Sequence, residues 1–131
     1  PEQVIAHLTE LVDRDERWVA NYEKAIKEFR EGEYGDSIRD VGKSAERLMY
    51  VLTMNVLSEE EVPDNVTGQI NRLSKTEDGV PDFIAKSIAP LWWLRNKTSH
   101  ATEYRATQQD AQYALLCFQI AAQKLVEKQI K

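Results

Sequence analysis

The sequence has few of the residues and segments that an all-β fold, a disulfide-stabilised domain or a membrane protein requires. Its 131 residues contain five glycines and four prolines, too few for the many turns of an all-β fold. The single cysteine, Cys117, excludes an internal disulfide and a cysteine-built zinc site and is typical of a reducing compartment. No apolar run approaches the roughly 18–20 residues of a membrane-spanning helix. These absences predict a cytoplasmic, all-α protein without a membrane partner.

Charge is distributed unevenly along the chain. Lys and Arg number 17 and Asp and Glu 22, which gives a formal net charge of −5. Residues 1–64 hold 8 basic and 16 acidic side chains, whereas residues 65–131 hold 9 basic and 6 acidic ones. The acidic average disfavours general binding of duplex DNA, which depends on many contacts between basic side chains and phosphates. A local basic site is therefore best sought in the second half.

Apolar residues recur at three- and four-residue steps through most of the chain, which predicts helices. The predicted helices cover about residues 2–30, 35–57, 66–75, 81–99 and 108–129. The first two should pack antiparallel, because a short turn at Gly32 and Gly35 joins them. Pro90 should kink or split the fourth helix, and Thr107-Gln-Gln-Asp110 resembles a capping box.

The expected fold is therefore an all-α bundle of four to five helices. Two long antiparallel N-terminal helices are followed by a short helix and two further helices. We expect one domain over residues 1–131, in a chain that begins without Met and is compatible with a fragment of a longer protein. Cys117 lies within an apolar helix and is interpreted as a small buried residue rather than a nucleophile.

One stretch, Leu91-Trp-Trp-Leu-Arg-Asn-Lys-Thr-Ser-His-Ala101, departs from ordinary bundle composition. Asn96 and His100 are four residues apart and lie on the same stripe of a helix, whereas Arg95 sits about 140° from His100. Three arrangements could still bring Arg95 and His100 to one substrate. In the first, the Arg95 side chain would reach around the helix. In the second, the helix would end near Ser99. In the third, a symmetric second copy would supply the missing group.

These residue types suit cleavage of a phosphodiester. An imidazole accepts a proton from a 2′-hydroxyl or donates one to a leaving oxygen, so His100 is the candidate general acid and base. The Arg95 guanidinium would clamp the phosphate in the transition state. Asn96 would be a positioning residue, through a hydrogen bond to the phosphate or by fixing the tautomer of the imidazole. No cofactor is required when the 2′-oxygen is the nucleophile, and the sequence offers no dense carboxylate, His or Cys cluster as an obvious metal cage.

The Arg95-Asn96-x3-His100 motif resembles the Arg-x(4–6)-His motif of HEPN domains. Residues 29–34 and 40–48 resemble that family's second-helix pattern, with Glu46 at an often acidic position, and Asp110 opens an apolar last helix. The resemblance covers about residues 20–128. It implies a metal-independent endoribonuclease of a toxin–antitoxin, abortive-infection or other defence system, acting as a homodimer and leaving a 2′,3′-cyclic phosphate.

The resemblance also leaves room for a different function. Some HEPN domains lack activity and serve as nucleotide-binding, dimerising or interaction modules. One toxin subgroup carries a Tyr two residues after the His, where an antitoxin modifies it. This chain has Thr102 at that position, so an antitoxin or regulatory partner remains an expectation without that modification site. A plain helical interaction domain is a third hypothesis.

The remaining candidates have ordinary alternatives. Glu46 could orient Arg95 or simply form an ion pair. Lys86, Lys97 and Arg105 are candidate RNA contacts and equally plausible surface charges. Two tryptophans, Trp92 and Trp93, fit the core or a dimer contact better than a base-stacking platform. The other histidine, His7, lies on the first amphipathic helix and is expected to be structural or solvent-facing.

Overall fold

The computed structural model describes residues 17–75, 79–100 and 104–130, and for some of them, His100 included, the backbone alone. The helices of this part are α1 (Arg17–Arg30), α2 (Tyr34–Val56), a 3₁₀ turn (Glu59–Glu61), α3 (Val66–Leu73), α4 (Gly79–His100) and α5 (Gln108–Ile130). The predicted all-α bundle of four to five helices is confirmed. None of these described helices is long and apolar enough to cross a membrane. The expected start of the first helix lies outside the described residues.

Helices α1 and α2 pack antiparallel and closely, as predicted from the short turn. Gly32 supports that turn with a φ of 80°, which a glycine adopts without the strain of a Cβ. Two buried serines of α2 donate hydrogen bonds across the interface to carbonyls of α1. Ser37 Oγ lies 2.7 Å from the Ala25 carbonyl, and Ser44 Oγ lies 2.6 Å from the Trp18 carbonyl. Small polar side chains thus let the two helices approach without leaving a buried hydroxyl unpaired.

The core lies between α1, α2, α4 and α5. Its largest fully buried side chains include Trp18, Tyr22, Ile38, Leu48, Ile84, Ile88, Leu91 and Phe118. Pro90 does not split α4, contrary to one of the two expected outcomes, since the helix continues from Gly79 to His100. Buried side chains on both sides of Pro90, among them Ile88 and Leu91, hold both halves of α4 against the core. Helix α4 therefore reaches His100 as one element.

Two carboxyl groups are buried side by side between α1 and α2. Glu28 and Asp40 are 8% and 5% exposed. Lys24 and Lys43 pair with the Asp40 carboxylate at 3.6 and 3.4 Å. Burial and the neighbouring Asp40 raise the pKa of Glu28 to about 7. Although burial acts the other way, the hydrogen bond from Glu28 and the two lysines lower the pKa of Asp40. Glu28 therefore holds the proton of the pair.

This pair predicts a stability that falls as the pH rises. Because folding raises the pKa of Glu28 from 4.5 to about 7, its contribution is complete below 4.5 and is lost as the pH rises through 7. We expect Glu28→Gln to be more stable than the unchanged chain at pH 8 by roughly 1–3 kcal/mol, and nearly equal to it at pH 4.5. Urea denaturation at both pH values, in a buffer with a chelator, measures the difference. The exposed Glu23→Gln is the control, and an equal gain there would contradict the assignment to Glu28.

Candidate active site around Arg95

Arg95 is seated on α2 by a glycine. A Cβ atom at Gly42 would lie 2.6 Å from Cγ and 3.3 Å from Cβ of Arg95, which is closer than van der Waals contact. Gly42 is buried in the middle of α2, where a glycine costs about 1 kcal/mol of helix propensity. The close approach explains why a glycine stands here despite this cost, because only a residue without a side chain lets the Arg95 stem lie across the helix.

The Arg95 side chain lines an open groove of about 580 Å3 between α2, α3 and α4. Its walls are formed by Asn21, Lys43, Glu46, Arg47, Tyr50, Asp64, Asn65, Val66, Gln69, Trp92 and Arg95. Three of these side chains are basic and two are acidic, and one of the basic ones, Lys43, also pairs with the buried Asp40 carboxylate. The groove is therefore close to neutral overall. Arg95 forms no ion pair with the described residues, so its guanidinium is the group in the groove that would attract an anionic ligand.

Two guanidinium groups in this groove lie over aromatic rings. The Arg95 guanidinium carbon is 4.7 Å from the centre of the Trp92 ring, and that of Arg47 is 5.1 Å from the centre of the Tyr50 ring. The attraction between a cation and an aromatic ring holds the Arg95 guanidinium over Trp92, and a guanidinium can bind a phosphate through two N–H groups at once. Arg95 Nη1 also donates to Asn96 Oδ1 at 3.2 Å, so the two adjacent motif residues form one unit.

The structure settles only the backbone position of His100. This residue ends α4, one turn after Asn96 and about 140° around the helix from Arg95. Its side chain lies outside the described part of the chain. Thr98 in the same turn donates to the Leu94 carbonyl at 2.9 Å, and its own carbonyl accepts from Arg39 Nη1 at 3.5 Å. The last turn of α4 is therefore anchored to α2.

The candidate RNA contacts Lys86, Lys97 and Arg105 do not line the groove. Lys86 lies about 180° around α4 from Arg95 and pairs with Asp82 at 3.1 Å. Lys97 lies about 200° around the helix from Arg95, with its Nζ 5.4 Å from the centre of the Trp93 ring. Arg105 is exposed between α4 and α5. The structure therefore brings Arg95 and Asn96 together and leaves these three cations on other surfaces.

Three further candidates are placed by the structure. Glu46 lines the same groove as Arg95, but within the described part of the chain no hydrogen bond or ion pair joins them. The tryptophans are expected in the core or at a dimer contact; neither is fully buried in the core, although Trp92 packs against it, and the dimer contact stays a prediction. Trp92 is half-buried at the groove, and Trp93 is 57% exposed. The positions of both tryptophans follow from the geometry of α4, because Ile84, Ile88 and Leu91 occupy its buried face.

Sequence reasoning missed the α2 and α3 side of the groove. The sequence pattern places three of these residues, Lys43, Arg47 and Tyr50, on the solvent face of an amphipathic helix. Gln69 lies on a short separate helix. The signal that could have found them is Gly42, because a glycine inside a helical pattern often marks a close backbone approach. Burial of Cys117, by contrast, is as predicted, and burial raises the pKa of its thiol.

The start of α5 carries the predicted capping box. Thr107 Oγ1 accepts from the Asp110 backbone N–H, and Asp110 Oδ2 accepts from the Thr107 N–H, both at 3.1 Å. The Tyr104 hydroxyl donates to the same carboxylate at 2.5 Å. Burial and this carboxylate raise the pKa of Tyr104 to about 12, while the hydroxyl lowers the pKa of Asp110.

Replacing Asp110 by Ala should therefore lower the free energy of unfolding by about 1–2 kcal/mol, because a cap and a hydroxyl partner are lost together. Gln109→Ala, at an exposed neighbouring position in the same first turn of α5, is the matched control and should change it by less than about 0.5 kcal/mol. Thermal or urea denaturation measures both. Equal losses in the two variants would contradict the role of the box.

Comparison of the chain with protein-family models, with curated proteins and with solved structures found no match. The features of this chain that bear on its function are therefore the Arg95 groove and the Arg95-Asn96-x3-His100 motif.

Proposed function

We propose that the chain is a metal-independent endoribonuclease of the HEPN type. The observation that carries this proposal is the seating of Arg95. Its stem lies on Gly42, its guanidinium lies over the Trp92 ring in an open groove, and its Nη1 donates to Asn96 Oδ1. A buried seat and an aromatic face hold the guanidinium in one place, as stabilisation of a transition state requires.

The proposed reaction is an internal transesterification. His100 accepts the proton of a ribose 2′-hydroxyl as the 2′-oxygen attacks the adjacent phosphorus. The bond from phosphorus to the 5′-oxygen breaks, and an imidazolium returns a proton to that leaving oxygen. Arg95 binds the phosphate oxygens that gain charge, and Asn96 fixes the orientation of Arg95. The products are a 2′,3′-cyclic phosphate and a 5′-hydroxyl.

The geometry of α4 favours a homodimer. A separation of about 140° around one helix keeps Arg95 and His100 of the same copy apart, whereas a two-fold axis brings the groups of two copies to one cleft. The bundle also exposes large apolar side chains on α4 and α5 that a second copy could cover. They are Phe83, Trp93, Tyr113, Leu116 and Ile120.

The biological setting follows from the resemblance alone. It suggests a cytoplasmic defence, toxin–antitoxin or abortive-infection system, in which an antitoxin or regulator restrains the nuclease. The antitoxin-modified Tyr of one subgroup is replaced by Thr102, which lies outside the described residues.

The proposal is tested with single-stranded RNA and with DNA of the same sequence, in a buffer containing a chelator. Cleavage of the RNA and not of the DNA is expected, because only RNA carries the 2′-nucleophile. Light scattering on the same sample should give the mass of a dimer. An intact RNA at micromolar enzyme between pH 5 and 9 would refute the enzymatic proposal.

A second candidate is a catalytically silent module that binds a nucleotide. The groove favours it, since Tyr50 and Trp92 offer rings for a base beside the basic side chains of Lys43 and Arg95. In that case RNA stays intact, and a mononucleotide raises the melting temperature of the unchanged chain but not of Arg95→Ala.

A further inference from the structure

Three carboxylates converge where α1 turns into α2. Glu28 lies in the last turn of α1, Glu33 directly precedes α2, and Asp36 lies in its first turn. One carboxylate oxygen of each lies within 4.8 Å of those of the other two. Glu33 occupies the N-cap position without a side-chain capping hydrogen bond, so its carboxylate is not used to cap the helix.

The buried member of this cluster has an oxygen that receives no hydrogen bond from an N–H group or a hydroxyl of the described residues. Glu28 is only 8% exposed, its carboxyl shares a proton with Asp40, and its Oε1 is buried without such a donor. Nearly all buried polar atoms in proteins are paired, with a protein group, water or an ion. The Glu28 carboxyl reaches the other two carboxylates, so a bound cation would replace the proton that Glu28 shares with Asp40 and would offset the repulsion among the three carboxylates.

We propose that this turn binds a divalent cation of the Ca²⁺ type through Glu28, Glu33 and Asp36. The donor set contains only oxygen, which hard cations prefer and which disfavours zinc or copper. Ca²⁺ accepts several carboxylates at 2.3–2.6 Å in flexible geometry, whereas Mg²⁺ keeps most of its waters and uses one or two. This site is separate from the Arg95 groove and does not depend on the proposed ribonuclease activity.

Neighbouring cations do not occupy the three carboxylates completely. Arg39 pairs with one oxygen of Asp36, which leaves the other for a ligand. Within the described residues, Glu28 and Glu33 form no ion pair. The lysines near the turn pair elsewhere, since Lys27 contacts Glu31 at 4.0 Å. Arg39 also donates to the Thr98 carbonyl, so the proposed site adjoins the last turn of α4.

The test uses the full chain, treated with a chelator and then desalted. Isothermal titration with CaCl₂ at pH 8 should show one site with a dissociation constant on the order of 10⁻⁴–10⁻³ M, and the melting temperature should rise over the same range. MgCl₂ should bind at least tenfold more weakly. Glu33→Gln and Asp36→Asn remove partly or fully exposed ligands and should each weaken Ca²⁺ binding at least tenfold.

The control is Glu31→Gln, which removes the same charge from the same turn without touching the cluster, and its Ca²⁺ affinity should stay within twofold. Circular dichroism verifies that each variant is folded. The proposal is overturned if the unchanged chain binds none of Ca²⁺, Mg²⁺ and Mn²⁺ at 10 mM, or if Glu31→Gln loses as much affinity as Asp36→Asn. This experiment measures cation binding, whereas the ribonuclease proposal is tested by RNA cleavage in chelator. A negative result in either experiment therefore leaves the other proposal standing.

Discussion

Arg95→Ala should reduce the rate of RNA cleavage by about 10²–10³-fold, the usual effect of removing one preorganised donor to the charge of a transition state. Arg95→Lys should lose most of this rate as well, because an ammonium keeps the charge but not the planar fork or the stacking on Trp92. Initial rates on a fluorescent RNA in chelator measure both. Arg72→Ala, on α3 and exposed, is the control for loss of one arginine. A rate for Arg95→Ala within twofold of that control would contradict the role of Arg95.

His100→Ala should reduce the rate by about 10²–10⁴-fold, as expected for a general acid and base. The chain provides a matched control, since His7→Ala removes the only other histidine. The rate of the unchanged chain should also depend on pH near neutrality, where an imidazole titrates, and His100→Ala should lack this dependence. If the two histidine variants behave alike, the assignment of His100 is wrong.

The same variants test whether two copies build one site. Arg95→Ala and His100→Ala chains, each inactive alone, are mixed under conditions that allow dimers to exchange. If Arg95 of one copy works with His100 of the other, a mixed dimer retains one complete pair and activity returns to about a quarter of normal, from half the dimers and one pair in each. No recovery despite proven exchange would place both groups in one copy.

Gly42→Ala should destabilise the fold by about 1–3 kcal/mol, although alanine is the better helix former. The added Cβ would lie 2.6 Å from Arg95 Cγ, so either α4 or the Arg95 stem must move. A displaced guanidinium should also lower the cleavage rate about 10–100-fold without any change to the motif itself. Urea denaturation and initial rates measure the two effects on the same sample.

This destabilisation should largely disappear when Arg95 is absent. In an Arg95→Ala background only the 3.3 Å contact with Cβ remains, and Gly42→Ala should then be nearly neutral, because the gain in helix propensity offsets that contact. The double-mutant cycle therefore yields a coupling energy of about 1–3 kcal/mol between the two positions. A coupling energy near zero would show that Arg95 does not rest on Gly42.

Helix positions could be predicted from the sequence because they depend on local periodicity and on caps. The expected helix over about 35–57 is observed at Tyr34–Val56, and the one over about 108–129 at Gln108–Ile130. The capping box at Thr107 and Asp110 is present with both hydrogen bonds. Each of these features is determined by residues within one or two turns of one another.

The surroundings of Arg95 could not be predicted in the same way. The groove combines side chains of α2, α3 and α4, and which of them meet depends on the crossing of helices rather than on any local pattern. The exposure of Trp93 and the burial of Glu28 also depend on how the helices cross. Residue type alone would place the tryptophan inside and the glutamate at the surface. The carboxylate cluster escaped notice since its members are separated by a turn.

The chemical form of the new RNA end tests the central claim most directly. After cleavage in chelator by the unchanged chain, mass spectrometry of the 5′ fragment should find a 2′,3′-cyclic phosphate, and the 3′ fragment should begin with a 5′-hydroxyl. These ends follow from attack by the 2′-oxygen, with His100 as the general acid and base and Arg95 bound to the phosphate. Fragments that carry a 3′-hydroxyl and a 5′-phosphate would instead show attack by water and would contradict the account.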